Sequence, residues 1–215
     1  MFVKDRMSHP VITVTPDTPI MEAREIMRRE RIRRLPVVDK EGNLVGIVTE
    51  KDILNASPSA ATTLSIWEVN YLLSKIKVEE VMTREVITAT EDMPMEEAAR
   101  LIADHKIGAL PVVRGRKVVG IITESDLFRV FLELMGARVP GVRLTVCVPD
   151  VPGQLATLSQ AIADVGGNIV SVSTFEGEES GTKCIVMKVT GVDEEQVRKV
   201  LSKVVPQILD VRTQP

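Results

Sequence analysis

Aromatic residues are scarce in this 215-residue chain, at 3%, with one Trp, one Tyr and four Phe. That argues against sites built on stacked rings, such as single-stranded nucleic-acid platforms. Cysteine is nearly absent, and two residues cannot make a disulfide framework. The two histidines, His9 and His105, lie far apart with no Cys or carboxylate pattern at metal-ligand spacing, so no metal site is expected. Basic charge has no surplus: 27 Lys and Arg face 30 Asp and Glu, a net charge of −3, so nucleic acid is not an expected partner. No uncharged apolar run approaches the roughly 18 residues of a membrane span. The charged start Met1–Arg6 has no apolar core of a signal peptide, so a cytoplasmic location is expected. No Ser-His-Asp order, nucleophile elbow or P-loop is present, nor a GxGxxG after a strand, so catalysis is not expected.

What the chain does contain is a repeat. Val3-Lys4-Asp5-Arg6-Met7-Ser8 corresponds to Val78-Glu79-Glu80-Val81-Met82-Thr83, and Leu35-Pro36-Val37-Val38 to Leu110-Pro111-Val112-Val113, each 75 residues apart. Gly46-Ile47-Val48-Thr49-Glu50-Lys51-Asp52 returns as Gly120-Ile121-Ile122-Thr123-Glu124-Ser125-Asp126 at a spacing of 74. The lost residue falls in turn-like segments, Asp39–Asn43 against Arg114–Lys117, so a hairpin loop has shortened. Each copy predicts β-α-β-β-α. A β-branched run (Val11–Thr15; Val86–Ala89) leads to a helix with Pro19 or Pro94 at its first position. Met95, Ala98, Ala99 and Ile102 fall on one face of the second of these helices. Two strands follow (Leu35–Val38 and Leu44–Val48; Leu110–Val113 and Val118–Ile122), then a second helix from Glu50 or Glu124. One unit of about 55 residues buries too little surface to stand alone, so two copies are expected to pack around a pseudo-twofold cleft.

Between the copies, Ala56–Thr63 reads as a loop and Ile66–Leu73 as a helix holding the only Trp and the only Tyr. That helix either packs over the core or offers a surface to a partner or second copy. Gly136–Gly141 has the composition of a linker. Beyond it come a strand at Arg143–Val148 and a helix opening at Pro152, with Leu155, Leu158, Ile162 and Val165 on one face and Gly166-Gly167 at its end. Strands at Asn168–Phe175 and Lys183–Thr190, a helix at Asp193–Lys203 and a strand at Ile208–Val211 complete β-α-β-β-α-β, the split ferredoxin-like order. Cys147 and Cys184 fall on neighbouring strands and read as small core hydrophobes. The fold class is α+β, with repeat 1 over 1–56, a connecting loop and helix over 57–77, repeat 2 over 78–136 and a C-terminal domain over 142–215.

The repeated Gly-x-x-Thr-x-x-Asp is the feature closest to chemistry. Its Thr ends a strand and its Asp lies in the first turn of the next helix, where free backbone N–H groups favour anions. A carboxylate there can accept from two vicinal hydroxyls, as on a ribose. Thr-x-x-Asp is also close to a capping box, with Thr49 and Thr123 as N-caps, and both readings stand at this point.

The two repeats resemble a pair of CBS (cystathionine β-synthase) domains, a Bateman module. The resemblance rests on the Leu-Pro-Val-Val strands, the two Gly-Ile-x-Thr-Glu-x-Asp segments and Val-Met-Thr at 81–83, and covers residues 1 to about 135. It implies binding of adenosine-containing ligands such as AMP, ATP or S-adenosylmethionine. Thr49 and Asp52 would serve one site and Thr123 and Asp126 the other, with Thr13 and Thr88 bordering the base. The C-terminal part resembles an ACT domain, a fold that often binds amino acids. Its motif is Asp150-Val151-Pro152-Gly153-Gln154-Leu155, with Gly167-Asn168-Ile169 after the helix. The resemblance implies that Gly153 admits a ligand to the helix start and Asn168 holds an amino-acid head group; otherwise these are helix-entry and turn residues.

The two nucleotide sites are unequal in charge. Arg28 to Arg34 carries five arginines in seven residues, whereas Ala103 to Ala109 has one Asp, one His and one Lys. Guanidinium forks suit phosphate oxygens, so the first repeat, with Arg34 as a nucleotide contact, is expected to hold a phosphate-bearing end. A solvated helix end accounts for the same residues. The order CBS, CBS, ACT is similar to the acetoin-utilisation protein B family, which implies an association with acetoin catabolism. The expected protein is a non-catalytic regulator with no cofactor beyond a regulatory adenine nucleotide or S-adenosylmethionine. It is expected to be a homodimer, with a partner enzyme as a further expectation. The alternative is a ligand-independent homodimeric scaffold for such an enzyme.

Overall fold

The computed structural model describes residues 1–56 and 66–215, so all but Ala56 of the loop predicted over Ala56–Thr63 lies outside the described residues. The chain divides into two compact units, Met1–Leu127 and Phe128–Pro215. In the first copy a 3-10 turn at Val3–Asp5 precedes α1 (Ile20–Glu30), the hairpin of β1 (Arg34–Val38) and β2 (Leu44–Thr49), and α2 (Glu50–Asn55). Then come α3 (Ile66–Leu73) and the short α4 (Val78–Val81). The second copy runs through α5 (Met95–His105), β3 (Ala109–Arg114), β4 (Lys117–Thr123) and α6 (Glu124–Leu134). Ile20, Ala23 and Met27 line the inner face of α1 and meet Leu35, Val37, Val48 and Ile53 in one apolar cluster. Pro19 and Pro94 stand one position earlier than the sequence suggested, as N-caps in an extended conformation.

The first β-branched run of each copy is not a full strand. It makes a single parallel bridge, Val14 to Val37 and Ala89 to Val112. Proline explains this. Val14 N–H donates to Pro36 O and accepts through its carbonyl from Val38 N–H, at 3.1 and 2.9 Å. The next rungs in either direction need N–H groups at Pro36 and Pro16, which have none. Pro111 stops the second copy's ladder on the corresponding side.

The copies interlock. Val3 and Lys4 donate backbone bonds to Met93 and Glu91 of the second copy, while Val78 and Glu79 donate to Thr18 and Pro16 of the first. Thr83 bridges to Ile47 and Ser8 to Ile121. The repeated Gly and Met are complementary for this reason: a β-carbon on Gly46 would lie 2.6 Å from Met82 Sδ, and one on Gly120 2.6 Å from Met7 Sδ. Helix α3 packs through Leu73, whereas Trp67 and Tyr71 are 81% and 64% exposed, so its two aromatics do not cover the core.

In the second unit β5 (Gly141–Pro149), α7 (Gln154–Asp164), β6 (Asn168–Glu176), β7 (Thr182–Thr190), α8 (Glu194–Leu201) and β8 (Gln207–Gln214) form an antiparallel sheet in the order β6-β7-β5-β8. This is the ferredoxin-like arrangement. Leu144, Val146, Ile185 and Met187 of the sheet cluster with Leu158, Ile162, Val197 and Leu201 of the helices. Helix α7 starts behind Gly153, whose φ of 96° is left-handed, rather than at Pro152. Leu155 therefore sits in the first turn, ahead of buried Leu158 and Ile162, and is 44% exposed. Cys147 and Cys184 are buried, but the reading of them as simple core hydrophobes is corrected. The β5–β7 register places them directly opposite, and they are joined as a disulfide. On the same face Lys188 is 2% exposed and donates to Gln214 Oε1 at 2.9 Å. Burial, then the neighbouring Arg143, hold the Lys188 ammonium below the usual lysine range. Among the described residues no helix is long and apolar enough to cross a membrane.

Candidate functional site

A cavity of about 430 Å³ opens in the first unit, around the end of β2 and the start of α2. The antiparallel register sets Arg34 directly opposite Thr49, so the first residue of β1 and the last of β2 share its rim. Ile47 contributes from β2, and because the segment after α4 crosses to pair with Ile47, Thr83, Val86 and Ile87 of the second copy complete that wall. The opposite side is Lys106, Ile107, Gly108 and Ala109. Lys106 caps α5 in a left-handed conformation with φ of 53° and points this turn into the cavity lining.

Asp52 serves the cap. Its Oδ2 accepts from Thr49 N at 2.8 Å and from Thr49 Oγ1 at 2.7 Å, while Thr49 Oγ1 accepts from Asp52 N at 3.3 Å. The cap uses one carboxylate oxygen; Oδ1 is outside it, and the half-buried side chain lines the cavity. Capping and ligand contact are therefore compatible on one residue. The second motif repeats the geometry, with Asp126 Oδ2 accepting from Thr123 N at 3.0 Å and Thr123 Oγ1 at 2.7 Å. Asp126 is the more deeply placed, at 6% exposed.

Of the sequence-proposed residues, Arg34, Thr49 and Asp52 come together in this cavity. Thr123 and Asp126 form the corresponding pair of the other copy. Thr13 and Thr88 are half-buried beside the inward Val14 and Ala89; Val86 and Ile87, rather than Thr88, line the cavity. Gly153 and Asn168 are exposed, at the start of α7 and of β6. The arginine stretch divides: Arg28 pairs with Glu25 at 3.3 Å and Arg29 with Glu30 at 2.7 Å, whereas Arg33 and Arg34 line the cavity. Sequence reasoning missed Thr83, Lys106 and Gly108. The repeat spacing held a signal for Lys106, which stands where the first copy has Arg31.

The CBS domain model matches residues 3–59 and 78–133, and the TTHA0829-like ACT domain model matches residues 140–212. The solved CBS domain pair of protein MJ0100, in complex with 5′-methylthioadenosine and S-adenosyl-L-methionine, is 40% identical, with a TM-score of 0.52 over 64% of this chain and 98% of that one. A structure from Vibrio cholerae named as an acetoin utilization protein (AcuB) is 30% identical, with a TM-score of 0.54 over 64% of this chain and 95% of that one. CBSX2 in complex with AMP is 30% identical, with a TM-score of 0.53 over 62% of this chain and 97% of that one. The aligned stretch spans 23%, 46% and 24% of the length of three curated relatives that the chain matches.

Proposed function

Because the chain belongs to the CBS-domain family and carries a TTHA0829-like ACT domain behind its CBS pair, we propose that it is a non-catalytic regulator that senses an adenosine-containing ligand in the Asp52 cavity. The observation that carries this reading is the convergence of Thr49, Asp52, Arg34 and Lys106 on one cavity of about 430 Å³. That size lies within the roughly 300–1,000 Å³ usual for small-molecule sites. In this reading Asp52 Oδ1 accepts from the ribose hydroxyls. Ile47, Val86 and Ile87 flank the base, and Arg34 and Lys106 meet the anionic end. Both copies contribute walls, so an occupied cavity fixes their relative position, and a ligand that fits one arrangement better shifts the equilibrium towards it. The solved pairs holding AMP, or S-adenosylmethionine with methylthioadenosine, support the ligand class.

Further parts of the proposal are an amino acid at Gly153 and Asn168, a cytoplasmic location, and a link to acetoin use supported by the likeness to the Vibrio cholerae structure. The test is a thermal-shift screen with AMP, ATP, S-adenosylmethionine and amino acids. A ligand at a hundredfold excess over Kd stabilises by about 2.7 kcal/mol. A flat response to every adenosine ligand overturns the sensor.

A second reading, a homodimeric scaffold for a partner enzyme, is favoured by the exposure of Trp67 and Tyr71 on α3. Its test is sedimentation of the Trp67→Ser, Tyr71→Ser double variant. A dimer that falls apart supports a dimerising helix; an unchanged mass removes this surface from the interface.

A further inference from the structure

The two motifs share one arginine. Arg34 lines the Asp52 cavity, yet its Nη2 lies 4.0 Å from Oε2 of Glu124, the first residue of the helix that carries Asp126. The guanidinium crosses to Glu124 over Gly108, where a β-carbon would collide with it. Gly108 has no left-handed φ, and its missing side chain leaves the room that the guanidinium occupies. Its carbonyl also holds the start of α6 by accepting from Glu124 N at 3.2 Å. The reverse crossing does not exist. Repeat spacing puts Ala109 in the place of Arg34 and Arg33 in the place of Gly108, so the second copy lacks the arm and the first copy lacks the gap.

Resting on the sensor reading above, we propose that Arg34 is a shared cation that lets the two motifs hold one phosphate-bearing ligand tightly and a second only weakly. A long, partly solvated ion pair is weak. A phosphate offers the guanidinium two short charge-assisted bonds and outcompetes it. Arg34 then leaves Glu124, and the uncompensated carboxylate stands beside Thr123 and Asp126. A second anion is repelled there, whereas an adenosine whose 5′ group is uncharged or cationic is accepted. The Asp52 cavity is thus the site for a phosphorylated adenosine, and the Asp126 site is the one for a neutral or cationic one.

The experiment is calorimetric titration of the full chain with AMP and, separately, with adenosine. AMP is expected to bind wild type in two steps at least tenfold apart. Arg34→Gln weakens the tighter step at least tenfold, Glu124→Gln tightens the weaker step, and both bring the steps within about threefold, while adenosine affinity moves less than twofold. Both side chains are outside the core, at 28% and 56% exposed, and circular dichroism confirms folding of each variant. If neither AMP nor adenosine binds wild type, the sensor reading itself falls. If AMP binds but both variants leave its steps unchanged, the sensor reading stands and the shared arginine is refuted.

Discussion

In the proposed function Asp52 carries two duties that substitution separates. As a cap, its Oδ2 takes bonds of 2.8 and 2.7 Å from Thr49 N and Oγ1. As the proposed ligand contact, it has Oδ1 left outside the cap. Asp52→Asn keeps an oxygen able to close the cap and loses the charge. Its stability cost is the difference between a charge-assisted and a neutral hydrogen bond, about 1 kcal/mol. For a chain of this size that is a fall in Tm of roughly 2–4 °C. Binding responds more strongly. Two ribose hydroxyls donating to a carboxylate contribute about 1.5–3 kcal/mol each, whereas the Asn amide, its one oxygen held in the cap, turns its N–H groups to the hydroxyls and makes neutral bonds of about 1 kcal/mol each. The difference is about 1–4 kcal/mol for the two bonds, so at about 1.4 kcal/mol per decade the expected loss of AMP affinity is about fivefold to 700-fold. Thr49→Val inverts the pattern. It removes the capping hydroxyl, costs about 0.5–2 kcal/mol and leaves the carboxylate in place, so affinity falls less than in Asp52→Asn. Isothermal titration with AMP, beside thermal unfolding of each variant, reads both columns. If Asp52→Asn binds AMP within twofold of wild type, or Thr49→Val loses as much affinity as Asp52→Asn, the carboxylate is a cap and nothing more.

Gly46→Ala puts a β-carbon 2.6 Å from Met82 Sδ and 3.0 Å from Thr83 O. It is expected to cost about 1–3 kcal/mol. In a double-mutant cycle with Met82→Ala the two losses are expected to be non-additive, and additivity disproves the interlock. The Cys147–Cys184 bond joins residues 37 apart in sequence, which by loop entropy is about 4 kcal/mol of stabilisation. Dithiothreitol is expected to lower the melting transition of the ACT domain; an unmoved transition means that the bond does not form in solution. Lys188 is held below the usual lysine range by burial and by Arg143. Between its lowered folded value and the ordinary lysine value the unfolded chain binds more protons, so stability rises with pH across that window. Lys188→Met is expected to abolish this rise in pH-dependent urea denaturation, and an identical slope in the variant counts against the buried charge.

The repeat made much of the first unit legible, because a constant spacing marks corresponding turns and helices whatever the tertiary packing. The second helices begin at Glu50 and Glu124 as the capping sequence suggests. Three features stayed hidden for distinct reasons. The partner of Val3–Ser8 is a tertiary choice: the segment pairs with the other copy, and its sequence is compatible with either. The cap and the proposed ligand site use the same Thr and Asp, so the motif alone could not separate them. Lys106 reaches the cavity because α5 ends in a left-handed residue, a conformation unusual for lysine and unmarked by a glycine. The prolines did hold readable information. Pro16 and Pro36 lack the two N–H groups that a longer first strand needs.

The interlock bears directly on how a ligand could act. The residues converging on the cavity come from both copies: Thr49 and Asp52 from one, Thr83 and Lys106 from the other. Moving a two-state equilibrium from 1:99 to 99:1 requires about 5.5 kcal/mol of differential affinity. The two proposed ribose bonds to Asp52 would supply about 3–6 kcal/mol, but they are made to one copy alone and are available in either arrangement. They therefore set affinity and contribute little to switching. The switching energy has to come from contacts that need both copies in place, which are those of Lys106 and of Arg34 over Gly108 at the anionic end. It follows that adenosine and AMP should part company as effectors even where both bind. Hydrogen exchange at the Ile47–Thr83 backbone pair is expected to slow on AMP and to change little on adenosine. Equal protection by the two ligands would place the switching energy in the ribose and base instead.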